Sequence, residues 1–196
     1  AVADPQPGDT VLDCCAAPGG KSFAIAERMR GRGSVTSCDI YEHKLRRIKE
    51  GALRLGLPNI HTELQDAAAF RVEWAASADV VLCDVPCSGL GIIRKKPEIR
   101  YKDPNEIEQL PALQQKILKN CAQYVRPGGT LVYSTCTILR RENEDVVRAF
   151  LAESPDFEAV PWTHPVCGAR EDGMVTLLPP VHDTDGFFIA KMRRKA

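Results

Sequence analysis

The chain has 196 residues, of which 44% are hydrophobic and 27% charged, and this is ordinary composition for one globular domain. Basic and acidic residues number 26 each, so the bulk charge gives no sign of a polyanion partner, and any nucleic acid must meet a local basic surface. No apolar run approaches the roughly 20 residues that span a bilayer, and the cysteines show neither a secretory context nor zinc spacing. We therefore expect a reduced, cytoplasmic, monomeric protein without a membrane segment or a metal.

Short apolar runs alternate with longer amphipathic runs along the chain. The first half predicts strands at residues 10 to 16, 34 to 39, 60 to 65 and 78 to 85, with helices at 21 to 30 and 41 to 55. The second half predicts a helix around residues 107 to 125, a strand at 129 to 136, a helix at 141 to 152 and late strands beginning at 157 and 185. Residues 161 to 184, with four prolines, predict a surface excursion.

This alternation predicts an α/β fold, with a mostly parallel sheet covered by helices on both faces. In such sheets a ligand lies outside the carboxyl ends of the strands, where the strand order reverses. Every conspicuous polar or glycine-rich position falls on such an end. These positions are APGGK (17 to 21), Asp39, Asp66, Asp84 to Cys87, and Cys136. Their convergence predicts a single ligand site at that edge of the sheet.

The glycine-rich turn lets backbone approach a ligand closely, but it lacks the spacing of a dinucleotide fingerprint or a P-loop. Asp39 lies where a carboxylate can accept both hydroxyl protons of a ribose. Asp66 could accept from an adenine amino group, and Asp84 lies near the reactive end of the cofactor. Taken singly, each feature is explained equally well as a turn or a helix cap, and Lys21 could cap its helix or pair with an acid. Together they favour S-adenosylmethionine.

Three motifs in order carry a resemblance to a known family. VLDCCAAPGGK, DVPCSGLG and LVYSTCT are followed by ENEDVV and DGFFIAKMRR. Over residues 8 to 194 the chain resembles the Sun-type RNA cytosine-5 methyltransferases, and most of all their bacterial branch that acts on 16S ribosomal RNA. The resemblance implies a Rossmann-like class I S-adenosylmethionine-dependent fold with a mostly parallel seven-stranded sheet. It also implies methyl transfer to carbon 5 of a cytosine in RNA.

The resemblance implies different roles for the two cysteines. Cys136 forms the covalent bond to carbon 6, Cys87 assists release of the methylated base, and Asp84 contacts the ring nitrogen and amino edge of cytosine. A thiolate is needed because carbon 5 is a poor nucleophile until sulfur adds to carbon 6. Spacing alone favours the reverse assignment, since Pro-Cys after the fourth strand is the nucleophile arrangement of DNA cytosine-5 methyltransferases.

The remaining family positions match one turn and three acids. The predicted cofactor-binding residues are Cys15, Ala16, Ala17, Pro18, Gly19, Gly20, Lys21, Asp39, Asp66 and Asp84. Val85 departs from the alanine that is usual before the proline, and this could narrow the pocket. The other cysteines in strand and helix interiors are predicted to be small core residues, namely Cys14, Cys38, Cys83 and Cys121. His164 and His182 are predicted in loops and not as catalytic bases.

A basic segment, residues 94 to 102, directly follows the Pro-Cys motif. Arg94, Lys95, Lys96 and Arg100 either form an ordinary solvated face or contact phosphates of the RNA. The family also implies an N-terminal RNA-binding domain, so we expect residues 1 to 196 to be a catalytic fragment that binds RNA poorly alone. The alternatives left open are transfer RNA or large-subunit ribosomal RNA as substrate, a DNA enzyme that uses Cys87, and a non-catalytic RNA-binding scaffold.

Overall fold

The computed structural model describes residues 2–164 and 167–196. Strands and helices alternate through most of this length, as the hydrophobic pattern predicts. In chain order the elements are β1 (Thr10–Asp13), α1 (Gly20–Arg28), β2 (Ser34–Asp39), α2 (Glu42–Leu55), β3 (Ile60–Leu64), β4 (Ala78–Asp84), α3 (Pro104–Ala122), β5 (Val125–Thr135), α4 (Glu144–Glu153), β6 (Phe157–Ala159), β7 (Trp162–His164), β8 (Gly168–Arg170), β9 (Met174–Leu177), α5 (Pro179–His182) and β10 (Phe187–Arg194).

The main sheet has the order β3-β2-β1-β4-β5-β10-β6, with β9 paired to β10 beside this path. The pairs among β1 to β5 are all parallel, and β10 runs antiparallel to β5, β6 and β9. The strand order reverses between β1 and β4, so the loops after these two strands flank the switch point where ligands bind in such folds.

Alternate residues of the central strands supply two separate apolar layers, because successive side chains point to opposite faces of a sheet. Val80 and Leu82 pack against α1 on one face through Ile25, Ala26 and Met29. On the other face, residues of β4 and β5 pack against α3 and α4. The members of this layer include Val81, Cys83, Leu131, Tyr133, Ile117, Leu118, Val147 and Phe150. Burial on both faces fixes the register of β4 and β5, and with it the loops that follow them.

Three details differ from the sequence-based predictions. The path from β3 to β6 holds the seven predicted strands, and β9 adds an eighth, because residues 161 to 184 are not wholly a surface excursion. Within them β9 joins the sheet and buries Met174 and Val175, and this strand is too short for its alternation to be recognised. His164 and His182, predicted in loops, end β7 and α5. Among the helices that the structure describes, none has the length and apolar character to cross a bilayer.

Candidate active site

The turn between β1 and α1 is shaped by Gly19. Its φ of 107° lies in the left-handed region, and a Cβ there would come within 2.6 Å of the Phe23 ring. The amide of Gly19 donates to the Ala16 carbonyl at 2.7 Å, which closes the turn. The first turn of α1 then carries Lys21 toward the end of β4, where its Nζ lies 2.6 Å from Asp84 Oδ2. Of the two alternatives for Lys21, the structure has the ion pair.

A cleft of about 540 Å³ opens beside this turn and is lined by Cys15, Asp39 and Asp66 of the predicted cofactor set. Asp39 Oδ1 accepts from the Tyr41 amide at 3.0 Å, and Asp66 Oδ1 accepts from the Ala68 amide at 2.8 Å. The second oxygen of each carboxylate receives no hydrogen bond from the residues that the structure describes. Two acceptors facing a cleft of this size suit a ligand that carries hydroxyl and amino donors, and S-adenosylmethionine fits that requirement.

The two candidate cysteines meet across neighbouring loops. Cys87 Sγ, after β4, lies 3.3 Å from Cys136 Sγ, after β5, and both side chains are half-buried. The hydrogen bond shared with Cys87 lowers the pKa of Cys136 to about 7, although burial and the charge of Asp84 oppose this shift. The same contact, together with burial, raises the pKa of Cys87. A contact of this length lets one sulfur ionise while the other keeps its proton and donates to it.

Asp84, at the end of β4, joins the start of α1 to the end of β5. Its Oδ1 accepts from Ser134 Oγ at 2.7 Å, while its Oδ2 pairs with Lys21. The positive charge of Lys21 lowers the pKa of Cys136 and so offsets part of the effect of Asp84. Carboxylate oxygens have further lone pairs, so Asp84 can still accept from a substrate. The sequence-based predictions gave Ser134 no role, because they were drawn mainly from ionisable groups at strand ends.

A second opening, of about 330 Å³, is lined by Cys87, Cys136, Lys96, Ile99 and Lys102, among others. Lys96 is exposed at its edge, and Lys102 Nζ donates to the Ser88 carbonyl at 2.8 Å. The opening thus joins the two sulfurs to the basic segment. A planar group bound in this opening could contact the sulfur of Cys87 or of Cys136.

Two of the four predicted RNA-contacting residues form ion pairs within the chain. Arg94 Nη2 and Lys95 Nζ pair with the two oxygens of Asp185 at 3.3 and 2.5 Å, and the Asp185 side chain is only 8% exposed. Arg100 is exposed on the short 3-10 helix Pro97–Tyr101. Lys96 and Arg100 are thus available for contacts outside the chain, while Arg94 and Lys95 also anchor the segment to the loop before β10.

Two buried acids near the site were also missed. Asp13 ends β1 with no exposed surface, accepts from Ser22 Oγ at 2.7 Å, and has its pKa raised to about 6 by burial. Glu142, also fully buried, touches the loops of both candidate cysteines. Glu142 lies in the motif ENEDVV, but the sequence-based predictions assigned it no role.

The prediction that Cys14, Cys38, Cys83 and Cys121 are core residues is confirmed, since all four are buried.

No set of three or more His, Cys, Asp or Glu side chains suited to a metal ion occurs within residues 2–164 and 167–196.

A family model described as "16S rRNA methyltransferase RsmB/F" matches residues 1–193. This match spans nearly the whole chain. The chain belongs to the RsmB/F family. A curated relative, the probable ribosomal RNA small subunit methyltransferase B of Bacillus subtilis, is 48% identical over 201 residues, which is 98% of this chain and 44% of the relative. The chain therefore spans about half the length of that RsmB/F relative.

Solved structures agree with the family. NSun6 from Pyrococcus horikoshii with SFG has a TM-score of 0.85 and 30% identity, covering 100% of this chain and 50% of that one. A methyltransferase homolog protein from the same organism has a TM-score of 0.83 and 32% identity, covering 98% and 63%. The predicted Rossmann-like methyltransferase fold and the predicted Sun-type resemblance are confirmed. S-adenosylmethionine is the cofactor that this RsmB/F membership and fold indicate.

Proposed function

We propose that this chain is the catalytic domain of an enzyme that methylates carbon 5 of a cytosine in RNA, with 16S ribosomal RNA as the substrate. The observation that carries the proposal is the 3.3 Å contact between the sulfurs of Cys87 and Cys136, a distance at which one thiol can donate a hydrogen bond to the other as a thiolate. Chemistry at carbon 5 needs a thiolate that can add to the ring and later leave it.

Cys136 acts as the nucleophile. Its thiolate forms a bond to carbon 6, and the electron pair displaced from the 5,6 double bond makes carbon 5 nucleophilic. Bound S-adenosylmethionine supplies the electrophilic methyl group that carbon 5 takes. Asp84, fixed by Ser134 and Lys21, accepts hydrogen bonds from the amino group and the protonated ring nitrogen of the adduct.

Cys87 assists the final step. A base accepts the carbon 5 proton, the electron pair of that C–H bond reforms the 5,6 double bond, and the bond from carbon 6 to the Cys136 sulfur breaks with its electron pair on sulfur. The departing sulfur carries the negative charge, and the Cys87 S–H lies 3.3 Å away to donate to it. A raised pKa suits this role because Cys87 must hold its proton while Cys136 is ionised.

The cofactor and the RNA approach from different sides of Asp84. Asp39 and Asp66 would hold the ribose and adenine of the cofactor in the cleft of about 540 Å³, beside the turn that contains residues 15 to 21. The target base must leave its stack to reach a thiol, and the opening at Lys96 and Lys102 offers it a place. With no net charge, the isolated chain should bind RNA weakly.

Methyl transfer from labelled cofactor tests the proposal. We expect the chain to place label on carbon 5 of a cytosine in unmodified 16S ribosomal RNA, as mapped by mass spectrometry of nuclease fragments. Cys136→Ala should abolish both the label and the covalent RNA complex seen on a denaturing gel. A covalent complex that survives Cys136→Ala but is lost in Cys87→Ala would reverse the two roles.

The same assay separates the alternatives. Label on transfer RNA or large-subunit ribosomal RNA, with none on 16S ribosomal RNA, would keep the chemistry and replace the substrate. Cofactor binding in a calorimeter without transfer to any RNA would favour the non-catalytic scaffold. Transfer to DNA that depends on Cys87 would favour the DNA enzyme.

A further inference from the structure

Glu142 places a fully buried carboxylate between the loops that carry the two cysteines. Its Oε2 accepts from the Ser88 amide at 2.8 Å and from Gln114 Nε2 at 2.9 Å. Its Oε1 accepts from Thr137 Oγ1 at 3.4 Å. Ser88 directly follows Cys87 and Thr137 directly follows Cys136, so one side chain holds the neighbour of each sulfur.

Further bonds close the network around this carboxylate. Ser88 Oγ donates to Thr137 Oγ1 at 2.8 Å, which joins the two loops directly. Gln114, from α3, also donates to the Pro86 carbonyl at 3.0 Å, so the residues on both sides of Cys87 are held. The network thereby spans the loop after β4, the loop after β5 and α3.

The backbone at Glu142 is itself fixed. Tyr133 Oη, from inside β5, donates to the Glu142 carbonyl at 2.6 Å. The next residue, Asn143, donates to the Thr137 carbonyl at 3.0 Å and accepts from Thr135 Oγ1 at 2.6 Å. Glu142 therefore approaches the cysteine loops from a rigid support and has little freedom to follow them if they move.

A buried carboxylate without a cation depends on its hydrogen-bond donors. Among the described residues, the side chain of Glu142 has no ion pair, and its partners are an amide, a carboxamide and a hydroxyl. Bulk solvent does not reach a side chain with no exposed surface, so the carboxylate relies on these protein donors. The loops are therefore held in the arrangement that brings all three donors to the carboxylate.

We propose that Glu142 is a positioning residue, whose carboxylate fixes Ser88 and Thr137 so that the Cys87 S–H points at the Cys136 sulfur. It does not touch the reacting atoms and acts through the cysteine loops. Its effect on turnover rests on the proposed function, whereas its effect on the two sulfurs can be measured without RNA.

The test measures the rate at which iodoacetamide alkylates Cys136 as a function of pH, with the modified peptide identified by mass spectrometry. In Glu142→Gln the amide keeps the size of the side chain but loses the charge, and its NH₂ must turn toward the Thr137 hydroxyl, which then accepts instead of donating. Neutral hydrogen bonds to the Ser88 amide and Gln114 hold the loops less firmly than bonds to a carboxylate do. We expect the midpoint of the Cys136 alkylation profile to rise by about one pH unit or more, toward the ordinary thiol value.

Other charged groups act on Cys136 in the wild type and in Glu142→Gln, and they are the same in the two proteins. Asp84 from β4 and Lys21 from α1 oppose one another at the sulfur, and Lys96, Glu98 and Lys102 line the adjoining opening. None of the five contacts Glu142 directly. The double variant Glu142→Gln with Cys87→Ala should show no further rise beyond Cys87→Ala alone, because both changes remove the same hydrogen bond.

Glu144→Gln is the matched control. Glu144 begins α4 two positions later, and its Oε1 accepts from Thr176 Oγ1 of β9 at 2.7 Å, away from the cysteine loops. This variant should leave the alkylation midpoint unchanged. If Glu142→Gln does not fold, as judged by its melting temperature, Thr137→Val removes one donor of the network with a nearly isosteric side chain and should raise the midpoint in the same direction.

Turnover supplies the second readout. We expect Glu142→Gln to lower kcat by about tenfold or more while KM for the cofactor changes little, because the cleft acceptors Asp39 and Asp66 follow β2 and β3 and do not bond to the Glu142 network. A folded Glu142→Gln protein with the wild-type alkylation midpoint would overturn the inference. If the wild type transfers no methyl group but the midpoint still shifts, the proposed function fails and the positioning role stands.

Discussion

The cofactor cleft and the cysteine site are built in different ways, although they share one edge of the sheet. In the cleft, Asp39 and Asp66 each bond to an amide two residues further along the chain. In the cysteine site, the contacts that join its two loops are long-range: Cys87 lies 49 positions from Cys136, and Ser88 lies 54 positions from Glu142. Short-range bonds form with the turn itself, whereas long-range bonds need the packed sheet. The cleft should therefore tolerate substitutions that disable the cysteine site.

Removing the Cys87 sulfur should disable the cysteine site and leave the cofactor cleft intact, and this is the largest effect that we expect. In Cys87→Ala we expect turnover to fall by about 100-fold or more, the range of a lost proton donor, while the RNA adduct on Cys136 accumulates. The rate of adduct formation in the wild type should rise with pH through about 7, because the thiolate forms above the lowered pKa of Cys136. In Cys87→Ala this midpoint should move to higher pH.

Quenched-flow measurement of the adduct across a pH series checks both expectations. Cys83→Ala is a suitable control, since this buried thiol lies in the core layer and touches neither loop sulfur. An unchanged midpoint in Cys87→Ala would mean that another group activates Cys136.

A substitution in the cleft should have a smaller and separate effect. Asp39→Asn keeps the acceptor for the Tyr41 amide but removes the charge that favours hydroxyl donors, so KM for the cofactor should rise by about tenfold. The alkylation profile of Cys136 should stay at its wild-type midpoint. Calorimetric titration of the cofactor, together with that profile, checks whether the two halves are independent; a shifted profile would contradict their separation.

The smallest expected effect is on RNA binding by the basic segment, where Lys96 and Arg94 should differ. Lys96→Ala should weaken RNA binding by a few-fold and reduce the slope of log K against log salt by about one, as for one lost phosphate contact. Arg94→Ala should change that slope less, because Arg94 is already paired with Asp185. Filter binding over a range of salt concentrations measures both variants. Equal slopes for the two would show that the ion pair opens on RNA.

Sequence reasoning predicted best the features that depend on local chemistry. The strand ends at Asp39 and Asp84 follow from hydrophobic runs that stop at an acid, and the structure places both strands within one residue of the prediction. Lys21 was left with two roles because its partner lies 63 positions away. The roles of the cofactor-binding turn, the three acids and the two cysteines in binding and catalysis stay predictions.

Glu142 shows why the remainder of the site was missed. A glutamate in a sequence is most often an exposed residue, and only the packing of α3 against the loops after β4 and β5 gives it three buried donors. The strand β9 was missed for a related reason. Four residues carry too little alternation to be distinguished from a loop, and their burial depends on β10, which follows later in the chain.

The place of β10 in the sheet has a consequence for biosynthesis. This strand comes last among the strands in sequence, yet it lies between β5 and β6 and buries Phe188, Ala190 and Met192 completely. Until residues 187 to 194 leave the ribosome, β5 has an open edge on the side away from β4. The strand whose end carries Cys136 therefore gains its second neighbour only when the last strand of the sheet has been synthesised.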